Sequence, residues 1–244
     1  MIEAHPLSFT VLTMLAILIG GLAEIVPLAM EKKDVPALVA AADSVWAETG
    51  EYTFVQMPYS PLEVEGRDIY VREGCYVCHS QMVRPFRHET LRYGEYSRAA
   101  EFIYDTPFQW GSKRTGPDLH RVGGRYPNQW HYLHMMDPRN TSPGSNMPTY
   151  PFLAEHAVDV TATAGKMKVL RTIGVPYSDE EIAGAAESML SQGRLISSNL
   201  AEADIELAPD SELTALIAYL QRLGRGPQPT GAAVAGEVAA TEVH

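Results

Sequence analysis

The stretch Cys75-Tyr76-Val77-Cys78-His79 decides the fold and the chemistry of this 244-residue chain. Cys-x-x-Cys-His is the spacing at which haem is attached covalently to a protein. Two thiols on one turn can reach the two vinyl groups of a porphyrin, and the adjoining imidazole then lies over the iron. The sequence therefore predicts one covalent haem c on Cys75 and Cys78, with His79 as an axial ligand of the iron.

Two other uses of a cysteine pair compete with haem attachment. A structural zinc site needs four ligands, and these two cysteines are the only ones in the chain. A thioredoxin-like redox pair is expected near a βαβ pattern, which the sequence lacks. The same count excludes the disulfide framework of small secreted domains. Haem attachment is the interpretation that the sequence favours.

The second axial position of the iron separates electron transfer from gas binding. The candidate ligand is Met147, in the run Pro143-Gly144-Ser145-Asn146-Met147-Pro148. Proline stiffens such a loop, so that it can carry a thioether back over the haem. The alternatives are a buried loop methionine without iron, bis-histidine ligation, or a rival methionine among Met82, Met135, Met136, Met167 and Met189. We interpret His131 and His134 as polar-face histidines of a helix around Trp130.

A carbonyl acceptor for the proximal histidine is also predicted. A metal-ligating histidine usually donates its other ring proton to a fixed group. The tight segment Gly116-Pro117-Asp118-Leu119 can present such a carbonyl to His79.

The folded domain is predicted over residues 60–224, and its class is all-α. Ser60, Pro61 and Glu63 mark the start of the first helix as a capping box with proline in the first turn. An amphipathic helix from about Ser211 to Leu223 closes the domain, followed by Gly224. No alternating strand pattern of useful length appears.

Two further helix starts are visible between these ends. We expect Asn128 to cap a helix that ends at Pro138. Ser178 and Glu181 form a second capping box. The connections between helices are expected to be long loops.

Residues 1–30 are predicted to form a transmembrane anchor. The apolar run from Phe9 to Ala29 would be roughly 32 Å long as a helix, enough to cross a bilayer. The alternative is a cleaved signal peptide, since Gly21-Leu22-Ala23 resembles a cleavage site, but a basic segment before it is missing. Residues 31–59 are interpreted as a linker and residues 225–244 as a disordered tail.

Charge and composition exclude several classes of function. A formal net charge of -11 leaves no basic surface for a nucleic-acid backbone, but it suits a positively charged protein donor of electrons. No Ser/His/Asp or paired-carboxylate arrangement can be argued from spacing. We therefore expect no catalytic residue in this chain, which would contribute electron transfer alone.

The predicted domain resembles a class I cytochrome c. Gly66 and Tyr70 match the crossing site of the first helix in that family, and Leu216 and Tyr219 match the last helix. The resemblance implies that the Pro117 carbonyl accepts the proton of the proximal histidine. It also implies that Met147 is the distal ligand.

A closer resemblance is to the monohaem subunits of cbb3-type cytochrome c oxidases, the CcoO or FixO family. The matching runs are Gly20 to Pro27, Arg72 to Arg87, Tyr93 to Ser97 and Phe108 to Leu119, and the likeness extends as far as Tyr219. Residues Ile196 to Ala208 look like an insertion relative to that pattern.

This resemblance implies an electron relay within a terminal oxidase. A dihaem cytochrome c subunit or a soluble cytochrome would deliver electrons, and a catalytic haem–copper subunit would reduce oxygen. It implies a single-pass protein of the bacterial cytoplasmic (inner) membrane with its haem domain on the periplasmic side, and a calcium site beside Ser112. An independent membrane-anchored electron shuttle and a haem sensor with an open iron site are the alternatives.

The segment from Arg84 to Gly111 is longer than a small cytochrome needs between its haem motif and the Gly-Pro turn. It combines four arginines with seven aromatic residues, and both types are enriched at protein interfaces. We hypothesise that this segment docks on the catalytic subunit. The alternative is that it wraps its own haem domain.

Overall fold

The computed structural model describes residues 5–31 and 55–225. Within those residues it contains no β-strand, and a single antiparallel bridge joins Ala157 to Ser211. The predicted all-α class is confirmed. The helices are α1 Pro6–Glu31, α2 Pro61–Arg72, α3 Cys75–Cys78, α4 Arg87–Tyr93, α5 Asn128–Met136, α6 Phe152–Glu155, α7 Thr163–Thr172, α8 Asp179–Ala183, α9 Ala185–Ala201 and α10 Glu212–Arg222, with 3-10 turns at Ala99–Phe102 and Pro138–Asn140.

Helix α1 has the length and composition of a membrane span. Its window Pro6–Ala23 has a mean hydropathy of 2.0, and none of that window is buried against the rest of the protein. A helix of 26 residues is about 39 Å long at about 1.5 Å per residue, more than the apolar thickness of a bilayer. Among the described residues α1 is the one helix that meets these criteria.

The core of the domain is built where α2 crosses α10. The crossing is close because Gly66 has no side chain, and a methyl group on it would lie 2.0 Å from the carbonyl oxygen of Ala215 and 2.7 Å from Cβ of Tyr219. Tyr70 packs against the Tyr219 ring at a centroid distance of 5.4 Å. The predicted crossing of the first and last helices is thereby observed.

Both helices, α2 and α10, start as predicted. The side chain of Ser60 accepts a hydrogen bond from the amide of Glu63, and the Glu63 carboxylate accepts one from the amide of Ser60 at 2.9 Å. Ser211 caps α10 by accepting from the amide of Thr214 at 3.1 Å. Side-chain acceptors at these positions satisfy amides that the first turn of a helix leaves unpaired.

One helix prediction needs correction, and another is confirmed. Asn128 is the first residue of α5 and Pro127 is its cap, because proline has no amide hydrogen to satisfy and fixes the entering backbone. The capping box at Ser178 is present, but the helix it starts ends at Ala183, and α9 follows after Gly184.

Buried residues also occur in the predicted linker and in the apparent insertion. Gln56 and Tyr59, at the end of the predicted linker, are buried, with exposed fractions of 3% and 8%. Ile196 and Leu200, in the apparent insertion, are core residues of α9. The rest of the linker and nearly all of the predicted tail fall in residues 32–54 and 226–244, outside the described residues.

Candidate haem site

Helix α3 places the two cysteines on one turn. The amide of His79 donates to the carbonyl of Cys75 at 2.9 Å, and Gly74 enters the turn with a left-handed φ of 70°. Cys75 is partly buried and Cys78 is exposed, and both thiols are free. Burial raises the pKa of the Cys75 thiol to about 12, whereas a redox cysteine needs a lowered one. The turn offers the spacing for two thioether bonds and disfavours a thioredoxin-like pair.

The His79 ring is held by the segment that follows Thr115. Its Nδ1 lies 2.8 Å from the carbonyl oxygen of Pro117, the acceptor predicted from the sequence. A proton donated from Nδ1 leaves Nε2 with the free electron pair that a metal requires. Burial lowers the pKa of His79, which favours the neutral imidazole. The ring is thus prepared to ligate through Nε2.

Gly116 lies directly against the His79 ring. A methyl group on this residue would lie 2.2 Å from Cε1 of His79, so any side chain would displace the ring. Its amide donates to the carbonyl of Cys78 at 3.0 Å, and the amide of Leu119 donates to the carbonyl of Ser80 at 2.9 Å. These two bonds fasten the 116–119 segment alongside the haem motif. The sequence marked the Gly-Pro turn but did not reveal why its first residue must be glycine.

Asp118 stabilises the same junction from behind. Its carboxylate accepts from the hydroxyl of Ser80 at 2.6 Å and from the amide of Met82 at 2.8 Å. Arg114 lies beside it and makes a bidentate pair with Glu89, with two N–O distances of 2.7 Å. The sequence did not reveal the pair of Arg114 and Glu89, because the two residues are 25 positions apart and share no local pattern.

Met147 lies on the same body of the protein as the haem motif. Both Met147 and Cys75 are partly buried and pack against the main core cluster. The Met147 amide donates to the Ser145 hydroxyl at 3.2 Å, and its loop turns at Gly144 with a φ of 81°. The contacts are compatible with a thioether carried towards the haem motif.

The rival methionines are engaged elsewhere to different degrees. Met167 is a member of a second core cluster with Tyr104, Val175 and Tyr177, separate from the cluster that Cys75 contacts. Met189 is fully buried and its sulfur accepts from the hydroxyl of Thr163. Met135 is a buried residue of α5, Met136 packs on the same core, and the amide of Met82 is held by Asp118. Met167 and Met189 are thereby engaged in other contacts, whereas Met136 packs on the same core cluster as Met147.

The interpretation of His131 as a polar-face residue is wrong. Its side chain is 1% exposed, and its Nε2 has no hydrogen-bond partner among the described residues. Burial lowers its pKa to about 4, so the ring is neutral. His134 is partly buried and its Nδ1 lies 2.5 Å from the hydroxyl of Thr141. Most residues of this nine-residue helix are themselves apolar or aromatic, so the sequence does not show which face of the helix is polar.

The calcium site predicted beside Ser112 stays a prediction. Ser112 is exposed, and within residues 5–31 and 55–225 no group of three or more His, Cys, Asp or Glu side chains could hold a metal ion.

The arrangement as a whole fits a haem. Two free thiols lie on one turn, a backbone carbonyl orients a neutral imidazole, and Gly116 leaves room for the imidazole ring because it has no side chain. In the comparisons with known proteins, residues 1–226 match the family described as cytochrome C oxidase, mono-heme subunit/FixO. The search of curated proteins found no match.

Proposed function

Because this chain belongs to the FixO family, the mono-haem subunits of cytochrome c oxidase, we propose that it relays single electrons through one covalent haem c to the catalytic subunit. The oxidase is of the cbb3 type and the chain is one component of that oxidoreductase complex. The observation that carries the proposal is the His79–Pro117 hydrogen bond of 2.8 Å beside the cysteine pair.

Each site residue has a distinct part in this function. Cys75 and Cys78 would hold the haem through thioether bonds, and His79 and Met147 would ligate its iron. When bound, the haem supplies a one-electron couple between ferric and ferrous iron. The Pro117 carbonyl keeps the His79 ring from rotating, so that little structure has to rearrange as charge changes at the iron. The chain itself has no catalytic residue in this proposal.

The proposed place of the chain is the bacterial cytoplasmic membrane, with α1 as its single span. The apolar window Pro6–Ala23 supports a membrane anchor. We propose a periplasmic haem domain, since covalent haem attachment in bacteria takes place outside the cytoplasmic membrane. The dihaem cytochrome c subunit or a soluble cytochrome is the proposed donor of electrons. A calcium ion beside Ser112 is proposed only as one shared with the catalytic subunit.

The segment 84–111 is proposed to contact the catalytic subunit with its exposed part. Its inner residues Phe102 and Tyr104 are buried in the domain, which agrees with the alternative that it wraps its own haem site. Its outer residues remain exposed by 52% at Phe86, 76% at Leu91 and 39% at Trp110. Large apolar groups that a domain leaves exposed are typical of interfaces.

A ligand variant and a purification test the proposal. Met147→Leu should abolish the near-infrared charge-transfer band from sulfur to ferric iron, while haem staining of the chain persists. Detergent purification should bring b-type haem with the chain. A haem-stained band that never migrates with b-type haem would favour the independent shuttle. Carbon monoxide binding to the reduced, isolated chain would favour a sensor with an open iron site.

A further inference from the structure

The loop that carries Met147 is fastened to α5 by contacts that haem attachment does not require. The Nδ1 of His134, near the end of α5, lies 2.5 Å from the hydroxyl oxygen of Thr141. Thr141 follows the 3-10 turn Pro138–Asn140, and its own amide donates to the carbonyl of Pro138. The hydrogen bond therefore joins the helix to the first residues of the loop.

The His134 ring is itself held in place by stacking. It lies on Trp130 at a centroid distance of 4.5 Å with the planes 12° apart. Trp130 stacks in turn on Tyr126 at 4.0 Å and 15°. A ring clamped on its face presents its nitrogen in a fixed direction, so the bond to Thr141 has little freedom to change partner.

Two further contacts hold the rest of the loop. Arg139 pairs with Asp137 at 2.7 Å, and its Nη1 donates to the carbonyl of Met147 itself at 3.4 Å. At the far end, the amide of Tyr150 donates to the carbonyl of Met135 on α5 at 2.8 Å. The loop is thus fixed to α5 at its start and at its end, and the backbone of its methionine is held by Arg139 of the 3-10 turn.

We propose that His134 is a positioning residue for Met147, acting through Thr141. The inference rests on the proposed function, in which Met147 is the distal ligand. A loop ordered in advance loses less conformational entropy when its thioether binds iron, so that each fixed contact favours the ligated form. Without the bond from His134 to Thr141, the methionine should dissociate from iron more often.

The test is competition for the iron by added imidazole in the ferric, haem-loaded chain. Imidazole has to displace Met147, so its apparent affinity reports how firmly the loop holds the thioether. His134→Phe keeps an aromatic ring to stack on Trp130 and removes the hydrogen bond, and Thr141→Val removes the bond from the other side. Loss of this one hydrogen bond in either variant should raise the apparent affinity for imidazole by roughly 3- to 10-fold. Thr141→Ser restores the hydroxyl and should return the affinity to that of the parent chain.

A matched control and a double variant make the test specific. Thr172→Val removes the hydroxyl that donates to the carbonyl of Lys168 on the exposed side of α7, and it should leave imidazole affinity unchanged. The double variant of His134→Phe and Thr141→Val should raise the affinity for imidazole only slightly more than either single variant does. Both substitutions remove the same hydrogen bond. Midpoints of global unfolding in urea report whether a variant has merely weakened the fold.

Two results would count against the proposal, and they differ in what they reject. If both variants bind imidazole as the parent does, while Met147→Leu loses the near-infrared band, then His134 does not position Met147 but the ligand assignment stands. If Met147→Leu keeps the band, then Met147 is not the ligand, and this inference fails with the assignment.

Discussion

At the scale of single residues, Gly116 shows how closely the chain approaches its own proximal histidine. The residue has no need of a left-handed backbone, and what it supplies is space beside the His79 ring. A spacing motif predicts which residues hold a haem. The room for the His79 ring, however, depends on the segment around Pro117, which follows 38 residues after the histidine. That approach becomes visible once the two segments are placed side by side.

Gly116→Ala should therefore disturb the proximal ligand. A methyl group 2.2 Å from Cε1 has to push the ring away from the Pro117 carbonyl, which weakens the bond that orients the imidazole. We expect a shifted reduction potential and an altered ferric spectrum, measured on the haem-loaded chain. Gly165→Ala on α7 is the control, since a methyl group there meets nothing within 4 Å. Equal potentials in the two variants would reject this account of Gly116.

Glu89 gives a prediction that depends on pH. Hydrogen bonds from Arg114, against the effect of burial and with help from Arg84, lower the pKa of this carboxyl from 4.5 to about 2 in the folded chain. A lowered pKa means that the carboxylate stabilises the fold above about pH 4.5, and that this contribution is lost as the pH falls towards 2.

Glu89→Gln should accordingly lower the free energy of unfolding at pH 7 by about 1–2 kcal/mol, a value that allows for solvent screening around Arg84. The difference from the parent chain should shrink steadily as the pH falls from 4.5 to 2. Urea unfolding at several pH values measures it. A difference that stays constant across this range would mean that the carboxylate charge is not what stabilises the fold.

At the scale of helices, the sequence predicted those elements whose ends carry their own signals. The capping box at Ser60 and the cap at Ser211 marked the starts of α2 and α10. Apolar periodicity predicted an amphipathic α10, whereas every residue from Glu212 to Leu220 is buried. The break at Gly184 was not predicted, because the apolar pattern runs through it and a glycine within a helix is often tolerated. Burial of Gln56 and Tyr59 depends on distant neighbours, which no local pattern reveals.

The crossing of α2 and α10 should be intolerant of even one added methyl group. Gly66→Ala would place Cβ 2.0 Å from a backbone carbonyl oxygen of Ala215, so the helices would have to separate. We expect a loss of about 1–3 kcal/mol in the free energy of unfolding, the range found for overpacked cores. Thermal unfolding of the haem-loaded chain, with Gly165→Ala as control, provides the measurement. A midpoint equal to that of the control would contradict the close crossing.

At the scale of the whole molecule, family membership and the all-α class were both predicted from the sequence and are confirmed. The long matching runs around the haem motif carried that prediction, since they specify a site as well as a fold. Partner contacts are harder to predict, because an aromatic residue has the same sequence signal whether it packs inward, like Phe102, or outward, like Phe86.

Exposed residues of the 84–111 segment should be needed for assembly with the catalytic subunit. Phe86→Ser together with Leu91→Ser removes large apolar groups that the domain itself does not bury, so the isolated chain should keep its fold and its haem. We expect less b-type haem to purify with this variant in mild detergent. Val169→Ser is the control, because Val169 is 64% exposed on a different helix. An intact complex with the double variant would favour a segment that serves its own domain alone.

The most direct test of the account is the mass of the mature polypeptide under denaturing conditions, after production in cells that attach haem to cytochromes c. Covalent attachment should make the chain heavier by one haem, and this added mass should be lost in a variant with both Cys75→Ser and Cys78→Ser. A mature chain of bare polypeptide mass, with both thiols open to alkylation, would contradict it.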